Sequence, residues 1–194
     1  LYIGGVTRAC DNVLLSKSFI ESLSVQGWKF IPTWVGPQAA CTNFSRTMSL
    51  DPAQARQQGI NNAIDASSVL EQSGLGGVNG AGSVVYYDLE GFNTNDARCL
   101  AAAKAFIDGW VEKLHANGIT AGLYGSACAS ALSQFYTIPN PPDVIWPAAW
   151  YINYYYRSYE TTNGIPCLPD SQWGNHQRIL QYTGAHNETW GGVT

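Results

Sequence analysis

Short apolar strand signals alternate with helical stripes along the whole chain, and that alternation leaves few folds open. Residues 1–5 read as a buried strand. Residues 15–26 follow with Leu15, Phe19 and Leu23 at helical spacing, and Gly27 stands where a terminating glycine belongs. Residues 29–35 form the next strand, with Pro32 weakening its centre. Asp51-Pro52 reads as an N-cap followed by proline at the first helical position. The helix it opens carries Ile60, Ala63, Ile64, Ser67 and Leu70 on one face and ends near Gly74. Residues 83–90 (SVVYYDLE) are an apolar strand that turns acidic at its C-terminal end. Thr94 or Asn95 then caps a helix striped by Cys99, Ala103, Phe106, Trp110 and Leu114, which Asn117-Gly118 stops. Strands at 120–125, 144–150 and 178–182 follow, with a short helix over 127–135 and a seventh strand signal opening at Gly192.

Such alternation predicts an α/β fold with a parallel sheet. A doubly wound sheet and a barrel both satisfy the order of elements. A doubly wound sheet concentrates its chemistry at one crevice, usually with a glycine-rich loop after a strand. The glycine-rich stretch 74–82 precedes a strand, so it reads as a linker. Polar or aromatic residues close nearly every strand: Trp34, Asp88 and Glu90, Tyr124, Trp150, Gln181 and Tyr182. Strand ends that converge in this way favour a (β/α)8 TIM barrel, whose chemistry sits at its C-terminal face. A barrel of this kind takes about 250 residues. The 194 here are therefore expected to be one domain, 1–194, supplying the middle of a barrel truncated at both ends.

Composition removes several classes of function. Lys and Arg number 10 against 14 Asp and Glu, with no basic run, so a nucleic-acid partner is not expected. No apolar stretch reaches the length of a membrane span. Low charge and five cysteines point to a secreted or cell-surface protein. An odd count leaves one thiol over, and Cys128 is expected in a disulfide with a partner such as Cys99. His176 and His186 lack ligand spacing, and no metal or cofactor is expected.

The chemistry concentrates at Asp88 and Glu90. Two residues apart on one strand, they share a face, and two carboxylates in a partly dry pocket push one pKa upward. That is the acid–base arrangement glycosidic cleavage uses, with Glu90, nearer the strand end, as the proton donor. The structural alternative has Asp88 satisfying buried backbone and Glu90 solvated in a loop. Trp34, Tyr87, Tyr124, Trp150, Gln181 and Tyr182 are the candidate substrate contacts, since rings at strand ends can stack on sugar faces. The Tyr-rich loop 151–159 reads as a binding or protein-assembly surface.

Several motifs in order carry a family resemblance: Tyr2-Ile3-Gly4-Gly5, Pro32-Thr33-Trp34-Val35-Gly36-Pro37-Gln38 and Tyr86-Tyr87-Asp88-Leu89-Glu90. Gly122-Leu123-Tyr124-Gly125-Ser126, Trp146-Pro147-Ala148-Ala149-Trp150, Gln181-Tyr182-Thr183-Gly184 and Gly191-Gly192-Val193 continue the set. Together they resemble the secreted glycoside-hydrolase-like barrel family called domain of unknown function 1906. That family is distantly similar to the family-25 muramidases, which share an acidic D-x-E on the fourth strand. The resemblance implies that this chain holds strands two to seven and the start of eight, with Asp88 and Glu90 as the fourth-strand pair.

The expected function is a glycoside hydrolase acting on N-acetylated cell-wall glycan such as peptidoglycan. Glu90 would be the general acid, and Asp88 would orient the substrate. The alternative is a non-catalytic carbohydrate-binding or cell-surface assembly module on the same barrel.

Overall fold

The computed structural model describes residues 1–76, 83–150 and 161–184. Five parallel strands form one sheet: β1 (Tyr2–Gly4), β2 (Thr33–Trp34), β3 (Val84–Leu89), β4 (Thr120–Ser126) and β5 (Val144–Ala148). Their order across the sheet is the order of the chain, without reversal. Three helices lie between them: α1 (Lys17–Val25), α2 (Pro52–Gln72) and α3 (Ala97–Ala116). Beyond β5, residues 177–181 run parallel to it through isolated bridges at Ile145–Arg178 and Ala148–Gln181. The sixth strand signal is thus present as a bridged segment. The proposed seventh, at Gly192, lies outside the described residues, as does the loop 151–159.

Strand parity sorts the side chains. In β3, Val85, Tyr87 and Leu89 are buried on the helix side, and Tyr87 packs against Phe106 and Trp110 of α3. Tyr86 and Asp88 face the other way, over the inner face of the sheet. There Tyr86 and Tyr124 each meet the edge of Trp146, at ring-centroid distances of 5.9 and 5.0 Å. Gly122 of β4 makes room for this cluster, because a Cβ there would stand 2.5 Å from the Tyr86 ring.

The helices obey their caps. Asp51 accepts a hydrogen bond from Gln54 N at 2.9 Å, and Pro52 occupies the first turn, as the sequence predicts. Helix α3 is capped by Asp96, one residue beyond the expected Thr94 or Asn95, through bonds from Arg98 N and Cys99 N. Its predicted apolar stripe is buried. The expectation for α2 holds at Ala63 and Leu70, which are buried, and fails at Ile64. Its buried stripe is Ala55, Gly59, Ala63, Ala66 and Leu70, and Ile64 is 46% exposed. The reason is a close crossing with α3: a Cβ on Gly59 would sit 2.0 Å from Phe106 O, and one on Gly109 would sit 2.3 Å from Arg56 O. Small residues win that face because only they let the two backbones touch. Arg56 ties the crossing with an ion pair to Asp108 at 2.9 Å.

Two disulfides fix the loops. Cys41 pairs with Cys99, and Cys128 with Cys167, so the expected Cys128–Cys99 pairing is corrected. Cys10 is a free, exposed thiol. The helix expected over 127–135 is a 3-10 helix at Leu132–Thr137. Residues before it turn back to bring Cys128 to its partner. Arg178 is buried and donates to the carbonyls of Thr162, Pro169 and Gln172, gathering the loop that holds Cys167.

Candidate functional site

At the C-terminal ends of the strands, the inner face opens into two adjoining cavities that share Tyr124. The inner one, about 250 Å³, is lined by Leu1, Tyr2, Thr33, Asp88, Trp146 and Gln181 together with Tyr124. The outer one, about 320 Å³, is lined by Glu90, Ser126, Ala148 and Trp150 with Tyr124. The two carboxylates therefore stand in connected spaces but in different surroundings. Asp88 is 5% exposed, whereas Glu90, just past the end of β3, is exposed.

Burial governs Asp88. Desolvation, with a smaller contribution from the charge of Glu90, pushes its carboxyl up to about 7. Its Oδ1 is buried without a hydrogen-bond partner. A buried acceptor left empty costs ~1–3 kcal/mol and calls for a functional explanation. Tyr124 is pushed up to about 12, by burial first and then by Asp88 and Glu90. Burial also takes Tyr86 up to about 12. Both phenols therefore stay protonated donors beside the acids.

A second polar group organises the mouth. Gln181 Oε1 accepts from the Tyr124 hydroxyl at 2.8 Å and from Trp150 Nε1 at 3.2 Å. An amide oxygen occupied twice leaves the amide NH2 as the group able to donate to a ligand. Trp150 keeps 59% of its surface exposed and packs over Gly184, where a Cβ would stand 2.5 Å from the indole. An indole held by its N–H with its surface open to solvent can stack on an apolar sugar face.

Of the residues expected to contact substrate, Tyr124, Trp150 and Gln181 come together with Asp88 and Glu90. Tyr182 is partly exposed and does not line either cavity. Trp34 and Tyr87 lie on the helix side of the sheet. Trp34 donates its indole N–H to Asn62 Oδ1 at 2.9 Å, and Tyr87 donates its hydroxyl to Pro37 O at 2.6 Å. Both are core residues, opposite in parity to Asp88. Tyr2, Thr33 and Trp146 line the inner cavity and were not expected there. Their signal is parity: Trp146 lies two residues from Val144 and Ala148 in β5, and Thr33 pairs with Tyr86. Among the described residues, no three His, Cys, Asp or Glu side chains are grouped to hold a metal ion. Nor is any helix among them long and apolar enough to cross a membrane.

A crystal structure of an uncharacterized B. stearothermophilus protein is similar at 22% identity and a TM-score of 0.49, over 76% of this chain and 61% of that one. The chain thus matches less than two thirds of that protein's length. No curated protein matches the chain. The family description that does match, over residues 1–194, is the Rv2525c-like, glycoside hydrolase-like domain, and to that family the chain belongs.

Proposed function

We propose that the chain is a secreted glycoside hydrolase acting on N-acetylated, peptidoglycan-like glycan, with residues 1–194 belonging to one (β/α)8-type domain. The strand order supports the barrel reading, because a sheet whose order follows the chain without reversal has no switch point of the doubly wound kind. One observation carries the functional reading. Asp88 sits buried with an empty acceptor in a cavity of about 250 Å³, beside a second of about 320 Å³ that holds Glu90 and an exposed tryptophan.

The chemistry divides between the two spaces. A polymer can lie along the outer cleft, stacking a ring on Trp150, with Glu90 facing the glycosidic oxygen as general acid. An acetamido group entering the inner cavity offers its N–H to Asp88 Oδ1. The raised pKa of Asp88 favours a second assignment in the same site, with Asp88 holding the proton and Glu90 as its charged partner.

Release of reducing ends from peptidoglycan fragments tests the reading, with Glu90→Gln and Asp88→Asn beside the wild type. Loss of the general acid slows cleavage of natural glycan by ~100-fold or more, yet spares an aryl glycoside whose leaving group needs no proton. Glu90→Gln is expected to show that rescue; rescue in Asp88→Asn instead assigns the acid to Asp88. Wild-type protein that binds glycan and never turns it over would establish the carbohydrate-binding module in place of the hydrolase.

A further inference from the structure

Gln38 is fully buried, and its side-chain amide is bonded entirely to backbone around the acid pair. Its Nε2 donates to Asp88 O at 2.8 Å and to Gly36 O at 3.2 Å, and its Oε1 accepts from Glu90 N at 2.9 Å. Asp88 and Glu90 flank Leu89, the last residue of β3. In a parallel ladder, one residue of a neighbouring strand bonds in this way to the residues before and after its partner. Strand β2 ends at Trp34, opposite Tyr87, so no backbone of β2 continues the ladder as far as Leu89. The Gln38 amide stands in for that missing peptide. Only an amide side chain carries a donor and an acceptor in one peptide-like plane.

The stand-in is itself anchored. Gln38 N donates to Arg46 O at 2.9 Å, and Met48 N donates to Gln38 O at 2.8 Å. Three residues on, Cys41 is bonded to Cys99 in the first turn of α3. From the β4 side, buried Ser130 Oγ donates to Leu89 O at 2.9 Å and accepts from Ser126 N at 3.0 Å. Cys128, two residues before it, is held to Cys167. The end of β3 is thus pinned on both sides by polar side chains from disulfide-anchored loops.

We propose that Gln38 is a positioning residue of the hydrolase site: by extending the β2–β3 ladder past the end of β2, it sets where Asp88 and Glu90 stand relative to each other. This rests on the hydrolase reading of the site, so the test includes a measurement that needs no turnover. Gln38→Met keeps the side-chain length and removes all three side-chain bonds, the two to Asp88 O and Glu90 N among them. Leu114→Ala, buried near the C-terminal end of α3 and so at the opposite end of the sheet from the acid pair, opens a cavity without touching the ladder or its anchors and controls for plain destabilisation. On peptidoglycan fragments, Gln38→Met is expected to lower kcat ~100-fold, the scale of an ångström-sized misplacement, with KM within about threefold. Leu114→Ala is expected to keep kcat and to lose thermal stability. In folded protein, the Asp88 carboxyl followed by 13C NMR is expected to titrate at lower pH in Gln38→Met than in wild type, as water reaches the loosened strand end. A Gln38→Met protein with wild-type kcat and wild-type Asp88 titration overturns the proposal, as does an equal kcat loss in Leu114→Ala. If wild-type protein cleaves no glycan, the hydrolase reading fails. The Asp88 titration then decides alone: a lowered midpoint supports the role of Gln38, and an unmoved one overturns it.

Discussion

Replacing Asp88 with Asn should change the pH dependence of stability in a direction fixed by the structure. Below pH 3.8 the carboxyl is protonated in folded and unfolded chains alike, and its ionisation contributes nothing. As pH rises from there, the unfolded chain releases the proton while the folded one, with its carboxyl held at about 7, keeps it. Stability is therefore lost progressively across that window, and the loss is complete above about pH 7. The span from 3.8 to about 7, at about 1.36 kcal/mol per unit, gives ~4 kcal/mol for a side chain almost wholly withdrawn from water. The amide introduced by Asp88→Asn does not titrate, and other acids contribute similarly to both proteins. The stability of the variant minus that of wild type should thus grow by ~4 kcal/mol between about pH 4 and about pH 8 and then level off. Tyr86 and Tyr124, at about 12, stay protonated throughout. Urea unfolding with disulfides intact, at half-unit pH steps, measures the difference, and its slope is insensitive to any constant offset from the new amide. A difference that stays flat across that range would refute the claim that burial dominates this carboxyl.

Three other perturbations bear on separate parts of the structure. Trp150→Ala should weaken glycan binding ~10-fold by calorimetry, because the indole is the exposed ring of the cleft, and should leave the melting temperature nearly unchanged. Replacing Cys41 and Cys99 together by Ala should cost ~2–4 kcal/mol in denaturant unfolding, since their cross-link spans 58 residues, while Cys10→Ser should cost nothing measurable. Gly59→Ala should cost about 3 kcal/mol, because the new methyl meets the Phe106 carbonyl at the helix crossing; a neutral result would mean that α2 and α3 are further apart than described.

How much of this could be read from the sequence depends on which physical rule carried each residue. Alternation pointed to the parallel sheet, and an acid pair two residues apart on a strand must share a face, so Asp88 and Glu90 were readable together. The same rule excludes Tyr87 from that face, since it neighbours Asp88; the aromatic character of a strand end outweighed parity there, and parity was right. Trp34 is different. Its face follows from pairing with Tyr87, and a strand of two residues carries no periodicity from which to read that register. The stripe of α2 was right at Ala63 and Leu70 and wrong at Ile64, because hydrophobicity favours isoleucine whereas the backbone contact at Gly59 demands small residues. Gln38 was legible only as one member of a family motif. A buried amide 50 residues from Asp88 becomes meaningful once β2 is seen to stop short of it. Local patterns therefore placed two carboxylates at one strand end, but the side chains bonded to that strand end come from loops whose contacts depend on strand length and register. The part of such a site hardest to read is its backbone support, because a side chain that replaces a missing peptide leaves no periodic trace.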